Sequence, residues 1–166
     1  MVVEVSMLKF NREQLSGSWF GRQGEMEVPL FQYVRSQRVK ASASPEYQID
    51  VLGREAGKED RVWLCECKYT RKPMSLTQVK KLENAADAFR QELKEEGRSV
   101  PEIQLWLIST GGFTEEVVKF VSSREDMYAS DYEGINSIFK AFGSNYSIPL
   151  FAGKEQSETK EVPPNA

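Results

Sequence analysis

Two runs of strand-forming residues, YQIDVLGR (47–54) and VWLCECKY (62–69), flank the hydrophilic segment EAGKEDR (55–61), and nothing else in the chain constrains its fold as strongly. β-branched and aromatic runs on either side of a polar, glycine-containing loop read as an antiparallel hairpin. Side chains alternate faces along a strand. Glu66 and Lys68 therefore share one face, and Cys65 and Cys67 the other. On the first strand, Ile49 and Val51 alternate against Gln48, Asp50 and Leu52. If Arg54 pairs with Val62, the constant sum of paired positions sets Asp50 opposite Glu66.

Directly opposed residues of such a pair stand about 4.5–5.5 Å apart. Two carboxylates at that separation repel unless a positive charge lies between them. A divalent cation meets the need, and oxygen ligands suit Mg²⁺ or Mn²⁺. Lys68 would point the same way. Two metal ligands beside an ammonium are what phosphodiester hydrolysis requires, because the ion polarises the phosphoryl oxygen and the amine orients water or offsets charge. An isolated E-x-K triplet is ordinarily a solvated strand face. The spacing from Asp50 across fifteen residues to Glu66-Cys67-Lys68, on a hairpin followed by a helix, favours a site.

Composition narrows the chemistry further. The 166 residues include no histidine, which removes Ser-His-Asp and Cys-His catalysis and every His-ligated metal centre. Cys65 and Cys67 are the only cysteines, too few for a structural zinc site and poorly spaced for a mutual disulfide. With 22 basic against 25 acidic residues, any nucleic-acid surface must be a local patch. Arg71, Lys72, Lys80 and Lys81 form such a cluster beside the proposed site and could bind backbone phosphates. No apolar run is long enough for a membrane span and no secretory signal is visible, so a cytoplasmic location is expected.

Along the rest of the chain, residues 2–10 alternate as a short edge strand or packed arm, and residues 11–22 form a loop carrying Trp19 and Phe20. A helix is expected over residues 24–37, with Met26, Leu30, Phe31, Tyr33 and Val34 on one face and Pro29 in its first turn. Residues 39–43 suit a short strand. Ser75 caps a long helix reaching Gly97, on which Leu76, Val79, Leu82, Ala86, Phe89 and Leu93 recur. IQLWLIS (103–109) reads as a strand covered on both faces. Thr110-Gly111-Gly112 turns the chain, Thr114 caps a second helix, and a short strand near 127–129 precedes a last helix over about 132–142. The expected organisation is an N-terminal arm (1–23), a domain (24–150) and a disordered tail (151–166). Helix, three strands, long helix, strand and helical appendage make a mixed α/β sandwich.

The run QIDVLG, then VWLCECKY, then the helix opened by Gln78, resembles the PD-(D/E)XK nuclease superfamily, particularly restriction-endonuclease-like proteins of the Mrr type. The resemblance covers about residues 24–121. It implies an α/β three-layer sandwich with a central mixed sheet flanked by helices. It also implies a metal-dependent endonuclease hydrolysing phosphodiester bonds of DNA. Asp50 matches the first acidic ligand, Glu66 the second and Lys68 the lysine, while Ile49 stands where the superfamily name has proline. The family often places a glutamate on its first helix, which Glu27 fits, with Glu25 as a substitute. Gln78 matches a glutamine that faces the site. The alternative is a catalytically silent nucleic-acid-binding or regulatory module of the same fold. RNA or branched DNA substrates stay open. A homodimer is plausible by analogy, and energy-dependent translocation would need a partner ATPase in another chain, since no ATP-binding motif is present. Cys65, Cys67, Trp63 and Trp106 read as core, and Gly111-Gly112 as a turn.

Overall fold

The computed structural model describes residues 2–57 and 60–143. In chain order the elements are helix α1 (Val2–Leu8), strand β1 (Gln14–Ser16), a 3-10 turn (Gly17–Phe20), β2 (Glu25–Glu27), β3 (Phe31–Val39), β4 (Tyr47–Glu55) and β5 (Arg61–Lys68). Helix α2 (Leu76–Glu95), β6 (Glu102–Ser109), α3 (Glu115–Ser122), β7 (Met127–Ser130) and α4 (Tyr132–Ala141) follow. A five-stranded mixed sheet runs in the order β3-β4-β5-β6-β7. The first three strands form an antiparallel meander, whereas β5, β6 and β7 are parallel and joined through α2 and α3. Strands β1 and β2 make a separate antiparallel pair. No described helix is long and apolar enough to cross a membrane.

Both faces of the sheet are covered, so its central strands are apolar throughout, as β6 shows with every residue after Glu102 buried. On one face Leu52, Leu64, Leu105 and Leu107 pack against Val79, Leu82 and Phe89 of α2 and Val117 and Val121 of α3. On the other, Val51, Trp63, Cys65 and Trp106 meet Met7 of α1, Phe10, Phe20, and Ile135, Ile138 and Phe139 of α4. The N-terminal arm thus supplies part of one core layer. Trp106 donates its indole N–H to Ser130 Oγ at 2.8 Å, which satisfies the one polar atom that a buried tryptophan carries.

The long helix and the elements after it fall where expected. Ser75 opens α2 with its backbone N–H donating to Gln78 Oε1 at 2.9 Å, and Thr114 Oγ1 caps α3 by accepting from the Val117 N–H. The expectations for the N-terminal third hold only in part. The packed arm is present, but residues 2–8 form a helix and not an edge strand, because Met7 and then Phe10 are buried against the sheet and tertiary burial overrides the β-leaning Val2, Val3 and Val5. Residues 11–22 are not all loop, since they hold β1 and the 3-10 turn. The helix over 24–37 is replaced by β2 and β3. An edge strand buries only part of its length, so Phe31 and Val39 are inside while Gln32, Arg35, Ser36 and Arg38 are exposed, and the sparse apolar positions imitate a helical period. Charged residues on such an edge also oppose strand addition by another chain. No separate strand spans 39–43, since Val39 ends β3. The tail beyond residue 150 lies outside the described residues.

Candidate active site

The hairpin register is the expected one: Arg54 pairs with Val62, Gly53 with Trp63, Leu52 with Leu64, and Val51 with Cys65. The ladder ends there, one step short of Asp50 and Glu66. Across the other edge of β4, Arg35 faces Leu52 and Gln37 faces Ile49, so three steps on β4 match two on β3. This is a β-bulge, which inserts one residue and re-aims its side chain. Its consequence is visible in the core. Ile49 and Leu52 both enter the layer beneath α2, while Val51 enters the opposite one, correcting the simple alternation of Ile49 with Val51. Asp50, two residues from Leu52, lies on the α2 side as alternation requires, and Leu64 assigns that side to Glu66 and Lys68 as well.

A cleft of about 340 Å³ results, lined by Glu46, Tyr47, Gln48, Asp50, Glu66, Lys68, Lys81, Leu82 and Ala85. Asp50 Oδ2 accepts the Cys67 N–H at 2.8 Å, filling the backbone bond lost where the ladder stops. Lys68 Nζ stands 2.7 Å from Glu66 Oε1, with the glutamate side chain 16% exposed and the lysine 38%. The hydrogen bond to Glu66 raises the Lys68 pKa above its ordinary 10.5; desolvation opposes this, and the charges of Glu66 and Asp50 add to it. The group is therefore a fixed cation at neutral pH. Burial, then the charges of Asp50, Glu66 and Glu4, push the Cys67 thiol up to about 12, and burial raises Cys65 as well. Both thiols are protonated core-side groups and carry no nucleophilic chemistry.

The remaining expected site residues divide. Lys81 of α2 lines the cleft and makes no ion pair with a described residue. Lys80, one residue earlier on the helix, is turned away: its Nζ is 3.2 Å from Glu83 Oε2 and 4.4 Å from the centre of the Phe120 ring. Arg71 and Lys72 are exposed in the loop between β5 and α2. Gln78 directs its amide oxygen to the cap of its own helix, its Oε1 also lying 3.4 Å from Ser75 Oγ, and does not line the cleft. Glu27 is corrected outright. It sits on β2 opposite Gln14 and lines a different depression with Arg12, Glu55 and Arg61, because residues 24–37 are strands and cannot carry it to the sheet's α2 face. Glu25 shares that strand. The first helix is α1, whose first-turn acid is Glu4. Gln48, Glu46 and Tyr47 went unassigned in the sequence. Gln48 had a signal, two residues before Asp50 on the same strand; Glu46 had none.

Among the described residues, no group of three or more His, Cys, Asp or Glu side chains could hold a metal ion. Asp50 and Glu66 are two carboxylates lining one cleft. Asp50 Oδ1 accepts no hydrogen bond from a described residue. The pair fits Mg²⁺ or Mn²⁺, since Mg²⁺ retains several waters and is commonly held by one or two carboxylates with substrate phosphates.

Fold and site together define a mixed α/β protein with an acidic cleft and a glutamate-paired ammonium at the end of a central hairpin. No family model, characterised protein or solved structure matches the chain.

Proposed function

We propose that this protein is a metal-dependent endonuclease of the PD-(D/E)XK superfamily, with the restriction-endonuclease-like fold of the Mrr type, hydrolysing phosphodiester bonds of DNA. The observation that carries the reading is the convergence of Asp50, Glu66 and Lys68 in one cleft across a hairpin and a bulge. Asp50 and Glu66 would hold Mg²⁺ or Mn²⁺. When bound, the ion supplies Lewis-acid polarisation of a phosphoryl oxygen and acidifies water at neutral pH.

The chain's own groups do the rest. Lys68, kept charged by Glu66, offsets the negative charge that builds on phosphorus as the water oxygen bonds to it and the P–O ester bond breaks. In that role it orients the attacking water and neutralises charge. Lys81 binds a non-bridging phosphate oxygen from the α2 side. The Cys67 N–H fixes Asp50, so the ligand is oriented before anything binds. Arg71 and Lys72 extend the phosphate contacts outside the cleft.

The test is conversion of supercoiled plasmid to nicked and linear forms. Lys68→Ala should lower the rate by at least about a hundred-fold with an unchanged circular dichroism spectrum, and EDTA should stop the wild type. Wild-type rates in Lys68→Ala, or cleavage that persists in EDTA, overturn the proposal. The second reading, a silent nucleic-acid-binding module, draws on the lack, among the described residues, of any group of three or more His, Cys, Asp or Glu that could hold a metal ion. DNA binding without cleavage and without Mn²⁺ binding would establish it.

A further inference from the structure

The cleft carries the carboxylates of Glu46, Asp50 and Glu66 against the ammoniums of Lys68 and Lys81, leaving one net negative charge. Glu46 is already neighboured by Arg38 at 3.7 Å, but both side chains are mostly exposed and the attraction is screened. Each of the two inner carboxylates has one oxygen committed: Asp50 Oδ2 to the Cys67 N–H, and Glu66 Oε1 to Lys68 Nζ. These commitments differ in kind. The first is to the backbone and is fixed. The second is to a long side chain that can swing, and it sets a full positive charge 2.7 Å from a carboxylate expected to receive a cation. A divalent ion alone reverses the sign of the cleft and meets that ammonium. A phosphodiester alone doubles the negative charge. The two together cancel it.

Resting on the nuclease reading, we propose that Lys68 is the resident counter-ion of Glu66, and that a phosphodiester anion received by Lys68 and Lys81 draws it off. Divalent cation and phosphodiester then bind with positive coupling. Each is held weakly by itself, and a cation is captured firmly only where a backbone phosphate is also present. Lys68 thereby moves from the carboxylate to the anion whose charge it offsets. By linkage, the cation must tighten the phosphodiester by the same factor as the reverse.

Calorimetric titration of the full chain with Ca²⁺ tests this, run alone, with a saturating thymidine octanucleotide, and with its uncharged methylphosphonate analogue. The octanucleotide should tighten Ca²⁺ at least about five-fold, the lower end of ordinary coupling, and the methylphosphonate should not. Lys68→Met should bind Ca²⁺ several-fold tighter than wild type in the absence of oligonucleotide, and should lose most of the tightening. Lys68→Gln serves if the Met variant loses its near-ultraviolet dichroism. Equal Ca²⁺ affinity with and without the octanucleotide, or weaker binding in both Lys68 variants, overturns the coupling while the nuclease reading stands. Absence of Ca²⁺ and Mn²⁺ binding under every condition overturns both.

Discussion

Asp50 has two separable roles, and a pair of substitutions distinguishes them. Its carboxylate accepts the Cys67 N–H at 2.8 Å, and under the proposed function its charge would hold a cation. A hydrogen bond to a charged group contributes roughly 1.5–3 kcal/mol, so Asp50→Ala, which leaves the Cys67 N–H without its acceptor, should cost about 2 kcal/mol. Asp50→Asn keeps a carbonyl oxygen at the same place. A neutral acceptor is about half as strong, so the expected cost is about 1 kcal/mol. Both variants remove the same negative charge beside Glu66, and that relief cancels in the difference between them. Equilibrium urea unfolding followed by circular dichroism should therefore separate the two midpoints by about 0.5 M at a typical m near 2 kcal/mol/M. Their melting temperatures should differ by roughly 3 °C for a chain of this size. Both should lose most of their Ca²⁺ affinity. If Asp50→Asn is as destabilised as Asp50→Ala, or if neither midpoint moves, the Cys67 contact is not what holds this carboxylate.

Two further outcomes follow from the surroundings of the cleft. With the Cys67 thiol raised to about 12 and Cys65 also raised, iodoacetamide at pH 8 should leave both unmodified in the folded chain and alkylate both in 8 M urea, as read by mass spectrometry. The sign is fixed by the thiolate: a raised pKa keeps it scarce until the pH approaches 12. At Gly111 an added Cβ would lie 2.3 Å from the Lys72 carbonyl oxygen, so Gly111→Ala must displace backbone, cost roughly 1–3 kcal/mol by urea unfolding, and shift the loop bearing Arg71 and Lys72.

What could be read from the sequence and what could not divide along a physical line. The hairpin register depended on local facts, a polar loop and two strand-forming runs, and Arg54 does pair with Val62. Helices α2 and α3 announce themselves by periodicity and caps at Ser75 and Thr114. The face of Asp50 is local as well: alternation sets it with Leu52, on the side that Leu64 gives to Glu66. What alternation misses is Ile49, which the bulge against β3 turns into the α2 layer. That bulge requires β3, whose residues imitate a helical period because an edge strand leaves half of them to water. Glu27 failed through the same error, since its assignment presupposed a helix that the chain does not form there. Gln78 shows the converse. Its position was right, but the polar side chain had a nearer partner than the cleft, the backbone N–H of its own helix start. A residue can therefore stand in the right element and still be withheld from a site by a local hydrogen bond. Lys68 is bound locally too, but to a carboxylate of the cleft itself, so its ion pair keeps it within the site.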